Sequence, residues 1–182
     1  SIKKSYNLTL VVAHVDHMFR GEESFEEYLF VEKICEEWGI PFEGSRIDVP
    51  KYIKDTGKNP QQASSDCRYA FYRDIMEKYT AQKLALAHHK DDQAESVLMN
   101  LIRGTSGMAR IGIPLKRLFG GGWIIRPFLA VTREDILEYC TEMNLNPRID
   151  PSNEKDIYTR NRFRKYILPM IKKENSKALD HI

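Results

Sequence analysis

Leu8-Thr9-Leu10-Val11-Val12-Ala13 is a nearly continuous apolar run rich in β-branched residues, and it restricts the fold more than any other stretch. A strand of that texture is buried on both faces, the habit of parallel sheets covered by helices. It gives way to His14-Val15-Asp16-His17-Met18-Phe19-Arg20-Gly21. A second apolar run, Leu84 to Ala87, ends in His88-His89-Lys90-Asp91-Asp92-Gln93-Ala94-Glu95-Ser96 and leads into an amphipathic helix. In an open parallel α/β sheet, ligands bind just outside the carboxyl ends of the strands. Two His/Asp groups at matching strand ends are therefore expected to share one cleft. Carboxylates cap helix starts and complement the helix dipole. That accounts for one aspartate of the Asp91–Asp92 pair and leaves the second, with the histidines, to chemistry.

The rest of the chain continues the alternation. Ser24 with Glu27 has the spacing of a capping box, opening a helix whose Phe25, Tyr28, Leu29, Val31, Ile34, Cys35 and Trp38 form one apolar face ended by Gly39. Residues 42–49 are expected to be a second strand and residues 51–62 a loop, followed by a helix carrying Arg68, Tyr69, Phe71, Tyr72, Ile75, Met76 and Tyr79. The helix after His88 repeats Ala94, Val97, Leu98, Leu101 and Ile102 and stops at Gly104. Strands alternating with helices at this spacing predict βαβ units and an α/β fold, a parallel sheet with helices on both faces. Beyond Gly104 the texture changes: Gly120-Gly121-Gly122 predicts a hairpin turn, Trp123 to Pro127 another strand, and Thr132 a helix cap. We expect an α/β domain over 1–130 and a small helical appendage over 131–182.

Charge matters here by its distribution, since the net value is only +2. Residues 22–37 hold seven glutamates and one lysine, the pattern of a solvated helix face. Residues 159–173 hold Arg160, Arg162, Arg164, Lys165, Lys172 and Lys173 and no acid, a surface suited to a polyanion. Arg160 and Arg164, four apart, share a helix face, with Arg162 peripheral to it. Cys35, Cys67 and Cys140 are far apart and form no CxxC, so neither a disulfide nor a zinc or iron–sulfur framework is indicated. No apolar run approaches the roughly 20 residues of a membrane helix and no signal-peptide pattern opens the chain; a cytoplasmic, non-membrane protein is expected.

Six strings occur in order: His14-Val-Asp-His-Met-Phe-Arg20, Arg68-Tyr69, His88-His-Lys-Asp-Asp-Gln-Ala-Glu95, Arg126-Pro-Phe-Leu129, Asp150-Pro-Ser-Asn153 and Thr159-Arg-Asn-Arg-Phe-Arg164. Together they resemble the catalytic domain of the tRNA(Ile)-lysidine synthases, members of the PP-loop ATP pyrophosphatase group. The resemblance implies a Rossmann-like sheet and a two-step reaction on the wobble cytidine of a tRNA(Ile) with a CAU anticodon. ATP adenylates the C2 oxygen, and the side-chain amine of free lysine then displaces AMP. It implies Asp91, Asp92 and Glu95 for lysine handling, the two aspartates also for Mg2+, and Arg68 to steady charge on cytidine or phosphate. Ala13, His14 and His17 would line the ATP side, and Arg160 and Arg164 would approach tRNA. A homodimer is compatible with it.

The sequence departs from the family pattern in two places. The family's glycine-rich SGGxDS loop, whose backbone amides cradle pyrophosphate, belongs ahead of the region that opens this chain; none precedes Ser1, and residues 1–182 by themselves are expected to show no synthesis. Gln61-Gln62-Ala63-Ser64-Ser65 stands where relatives carry a Glu and an Arg. Three other readings are compatible with parts of the sequence. One is a PP-loop tRNA thiolase, although no paired cysteines are present. Another is a metal-dependent phosphohydrolase using His14, Asp16, His17, His88, Asp91 and Asp92. The third is an inactive RNA-binding remnant.

Overall fold

A computed structural model describes residues 2–148, 156 and 158–182, so the Asp150–Asn153 string lies outside the described residues. The chain forms two compact units, Ser1–Leu84 with Phe119–Gly122, and Ala85–Leu118 with Trp123–Ile182. The division expected near residue 130 does not coincide with this one. The 131–182 extension shares a unit with the Asp91–Asp92 helix, because Ala94, Leu168 and Leu179 bury one another with Leu98 packed alongside.

In the first unit a short helix α1 (Ile2–Ser5) precedes β1 (Val12–Asp16), α2 (Glu22–Glu37), β2 (Phe42–Arg46), α3 (Val49–Thr56) and α4 (Pro60–Lys78). β1 and β2 pair in parallel from Val12 opposite Phe42 to Asp16 opposite Arg46, with α2 as the crossover and packed on both strands. A parallel pair requires such a crossover. The strand begins four residues later than the apolar run, since pairing starts where the Val12 N–H meets the Pro41 carbonyl at 2.9 Å. His14 and Asp16 thus lie within β1, not beyond it. α2 also starts earlier than expected. Gly21, at φ 54°, is its N-cap, and Ser24, inside the first turn, donates its hydroxyl to the Gly21 carbonyl in place of a capping box.

The second strand, expected over 42–49, ends at Arg46, and most of the loop expected over 51–62 is helical, in α3 and the start of α4. The Asp48 side chain accepts the Lys51 N–H, Pro50 fits the first turn, and Gly57 closes α3 in the left-handed region. Asn59 caps α4 in the same way, accepting from the Gln62 N–H. Val49, Ala63 and Cys67 form the core that joins these two helices, with Ile47, Tyr52 and Ile53 around it.

A three-stranded sheet has the order β3 (Lys83–Ala85), β5 (Gly122–Ile125), β4 (Lys116–Phe119). Gly120 and Gly121 both take positive φ, the two-residue turn that matches strand twist in a hairpin. β1 and β3 therefore belong to different hydrogen-bonded sheets, and strand pairing alone does not set their ends on one edge. The second unit then contains α5 (Lys90–Ile102), α6 (Arg133–Glu142), a helix running as α7 (Thr159–Arg162), a π turn (Phe163–Ile167) and α8 (Leu168–Glu174), and finally α9 (Ala178–His181). Thr132 caps α6 as expected, in a reciprocal box with Asp135. Among the described residues no helix is long and apolar enough to cross a membrane.

Candidate active site

The acidic start of α5 is the focus of the second unit. His89 is extended and forms the N-cap; its backbone N–H donates to Asp92 Oδ2 at 3.0 Å. Asp91 and Asp92 stand in the first turn, where carboxylates complement the dipole. Glu95 follows at spacings of four and three, so the three carboxylates crowd one end of one face. Their side chains are 8%, 13% and 0% exposed. Unpaired, such burial would be prohibitive for charged groups.

The partners come from the basic helix. Arg160 donates from Nε to Glu95 Oε2 at 2.6 Å, and from Nη2 to the Asp92 carbonyl and Ser96 Oγ, both at 3.2 Å. Arg164 donates from Nε to Glu95 Oε1 at 2.8 Å, and from Nη2 to Asp92 Oδ1 at 3.1 Å. The shared face expected for Arg160 and Arg164 is the face they use, and they close on the α5 carboxylates. Arg162 points elsewhere, to the Asp156 carbonyl and Thr159 Oγ1. Asp91 is held separately: Oδ2 accepts the Arg133 N–H at 2.9 Å and Oδ1 accepts from Lys172 Nζ at 2.8 Å, while Lys172 also reaches Glu134 at 3.0 Å.

Asp91, Asp92 and Glu95 thus face Arg160, Arg164 and Lys172, three charges against three. Burial pushes the Asp91 carboxyl up, but the contacts from Lys172 and the Arg133 N–H outweigh it and hold the group below its ordinary range. Burial alone would lower Arg164; Glu95 and Asp92 raise it instead. The His89 ring lies between the two aspartates, Nδ1 3.6 Å from Asp91 and Nε2 3.4 Å from Asp92.

All four oxygens of Asp91 and Asp92 lie against protein donors, and Arg164 and Lys172 occupy the cationic positions beside them. Among the described residues no three His, Cys, Asp or Glu side chains converge as a metal would need. The pair as arranged does not fit a magnesium site of its own.

The remaining expected residues lie in the first unit. Ala13 is in β1 opposite Glu43. The His14 ring meets Tyr28 edge-on at 5.8 Å and stacks with Phe42 at 6.4 Å. Burial lowers its pKa, against the opposing pull of Asp16 and Glu27. His17 follows the strand; burial and the positive charge of Arg68 lower its pKa too, and its buried Nδ1 has no hydrogen-bond partner among the described residues. Neutral imidazoles of this kind offer one donor and one acceptor each. The Arg68 guanidinium also lies 5.8 Å from the Tyr69 ring. Asp16, buried, accepts from the Met18 N–H at 2.8 Å and Arg46 Nε at 3.1 Å, which anchors the turn that carries His17.

A family model described as a PP-loop domain matches residues 1–171. The chain belongs to the PP-loop family. This PP-loop domain is 55% identical over 168 residues to the tRNA(Ile)-lysidine synthase of Bacillus cereus, a match covering 92% of the chain and 35% of that relative. The tRNA(Ile)-lysidine synthase of Geobacillus kaustophilus is 51% identical over 175 residues, covering 96% and 38%, and that of Bacillus subtilis (strain 168) 51% over 166 residues, covering 91% and 35%. The domain thus spans little more than a third of the length of these curated relatives. In fold it is similar to the U34-tRNA thiolase NcsA from Methanococcus maripaludis, with a TM-score of 0.74 at 17% identity over 98% of this chain and 63% of that one.

Sequence reasoning named Lys172 only as one cation of the basic run and Ser96 only as the end of the His/Asp string, and it passed over Arg133. Lys172 is twelve residues beyond Arg160, a spacing that sets it about 120° away on a regular helix, and the π turn brings it back to the same stripe.

Proposed function

We propose that this PP-loop domain is the catalytic part of an enzyme that converts the wobble cytidine of tRNA(Ile) to lysidine. The observation that carries this is the 55% identity to a tRNA(Ile)-lysidine synthase across 92% of the chain. The cytidine C2 oxygen attacks the α-phosphorus of ATP and pyrophosphate leaves. The ε-amine of lysine then attacks C2, its proton is taken up, and AMP leaves with the C2 oxygen.

The second step needs a neutral amine close to a carboxylate, because an ammonium has no free electron pair. Of the three carboxylates, Asp92 is the one suited to that task. Glu95 is wholly buried between two guanidiniums and Asp91 is tied to α6 and α8, whereas Asp92 keeps the largest exposed surface. Glu95, Arg160 and Arg164 then act as its rigid frame. The Arg160 and Arg164 side chains retain 39% and 27% exposure, which leaves room for a substrate phosphate or tRNA to approach them. Ala13 would contact adenosine through its backbone and methyl group, His14 and His17 through neutral rings, and Arg68 would offset charge developing on the adenylated base. Magnesium is expected to travel with the triphosphate, and no step is assigned to it on these residues.

The test is ATP–pyrophosphate exchange by the complete gene product. Exchange should require tRNA(Ile), and added lysine should release AMP. Exchange indifferent to tRNA would refute the reading.

A further inference from the structure

Lys172 stands on the same stripe as Arg160 and Arg164, although a regular helix would not put it there. At 3.6 residues per turn each residue turns about 100°, so Arg164 lies about 40° from Arg160 but Lys172 about 120° away. The π turn removes that discrepancy. In it the Leu168 N–H reaches back five residues to the Phe163 carbonyl, absorbing one extra residue. Everything beyond is set back by one residue's rotation, which leaves Lys172 about 20° from Arg160. Pro169 is a physical cause of the wide turn. It has no N–H for the Lys165 carbonyl, and in a regular helix its ring would clash there.

We propose that Lys172 is a positioning residue for the lysine-transfer step, carried onto the acidic face of α5 by the π turn. Its ammonium joins Asp91 at 2.8 Å to Glu134 at 3.0 Å, while Asp91 also accepts the Arg133 N–H. One cation therefore fixes the first turn of α5 against the first turn of α6. Asp92 is the next residue on α5, and its direction follows from that turn. With Lys172 absent, Asp91 loses the ammonium held at its Oδ1, and the turn bearing Asp92 loses a tether. The proposal rests on the reading of Asp92 as the carboxylate that meets the amine.

Two measurements on the complete gene product decide it. Carboxyl 13C titration of Asp91 should show its pKa higher in Lys172→Met than in the wild type, and restored in Lys172→Arg, which keeps the charge. In kinetics, Lys172→Met should raise KM for lysine about fivefold, the scale of one hydrogen bond's net contribution, with KM for ATP moving less than about twofold. Lys172→Arg should recover most of that loss. An Asp91 titration unchanged in Lys172→Met overturns the proposal, as does an equal rise in both KM values, which a general loosening of the unit would give. If the wild-type protein forms no lysidine, the functional reading fails, and the titration still decides whether Lys172 holds Asp91.

Discussion

Glu95→Gln keeps the shape of the side chain and removes its charge at the point where the second unit is most dependent on it. The Glu95 carboxylate is wholly buried and receives Arg160 Nε at 2.6 Å, Arg164 Nε at 2.8 Å and Arg164 Nη2 at 3.3 Å. In the amide one oxygen still accepts, but the NH2 group confronts a guanidinium, donor against donor. Removing one partner of a buried ion pair costs about 3–5 kcal/mol. Here both arginines are partly open to water and regain some hydration, so about 2–3 kcal/mol is the expected loss. The two tryptophans make the assay specific, since Trp38 lies in the first unit and Trp123 in the second. In a Trp38→Phe background, urea unfolding followed by Trp123 fluorescence should show the midpoint falling by about 1–1.5 M at a slope near 2 kcal/mol per molar. Arg162→Ala, whose guanidinium serves a local carbonyl and hydroxyl, should lose no more than about 0.5 kcal/mol. A Glu95→Gln midpoint no lower than that of Arg162→Ala would refute the reasoning.

Two further outcomes follow from the first unit. His14 and His17 titrate below their ordinary value in the folded state, so between that value and the lowered ones the unfolded chain binds more protons. Stability should be full above about pH 6.5 and decline as pH falls below it, by up to about 1.4 kcal/mol per pH unit for each proton. Trp38 fluorescence in a Trp123→Phe background reads this, and a stability flat from about pH 7.5 to about pH 5.5 would contradict it. Asp16 is depressed and loses its contribution only at lower pH, so it does not blur the window. Gly44→Ala would drive a methyl group into the Tyr28 ring, which packs on Phe42 at 5.2 Å and His14 at 5.8 Å. Overpacking there should cost about 1–3 kcal/mol in the same assay, and an unchanged midpoint would show that the ring yields freely.

What could be read in the sequence was the chemistry that acts within a few residues. The α5 start at Lys90, the Thr132 cap and the Gly120–Gly121 turn each follow from local side-chain or backbone preferences. α3 had equally local signals, Asp48, Pro50 and Gly57, masked by a polar composition that suggested a loop. Pairing, by contrast, is non-local. The apolar run from Leu8 to Ala13 has the same texture whether its ladder begins at residue 8 or at Val12, and only the approach of Pro41 decides. The candidate site shows the same contrast. Asp91, Asp92, Glu95, Arg160 and Arg164 could be singled out as residues, yet that the arginines close on the acids depends on tertiary packing. Lys172 was legible as one cation of the basic run, but its place beside Arg160 was not, since the regular helical period sets it about 120° from that residue.

Nucleoside mass analysis of tRNA(Ile) after reaction tests the central claim most directly. A transcript with a CAU anticodon, incubated with ATP, lysine and the complete gene product, should carry lysine on its wobble cytidine only when all components are present. Asp92→Asn, folded by circular dichroism, should leave that cytidine unmodified. An unmodified cytidine with the wild-type protein, sulfur in place of lysine, or near-normal modification by Asp92→Asn would contradict the account.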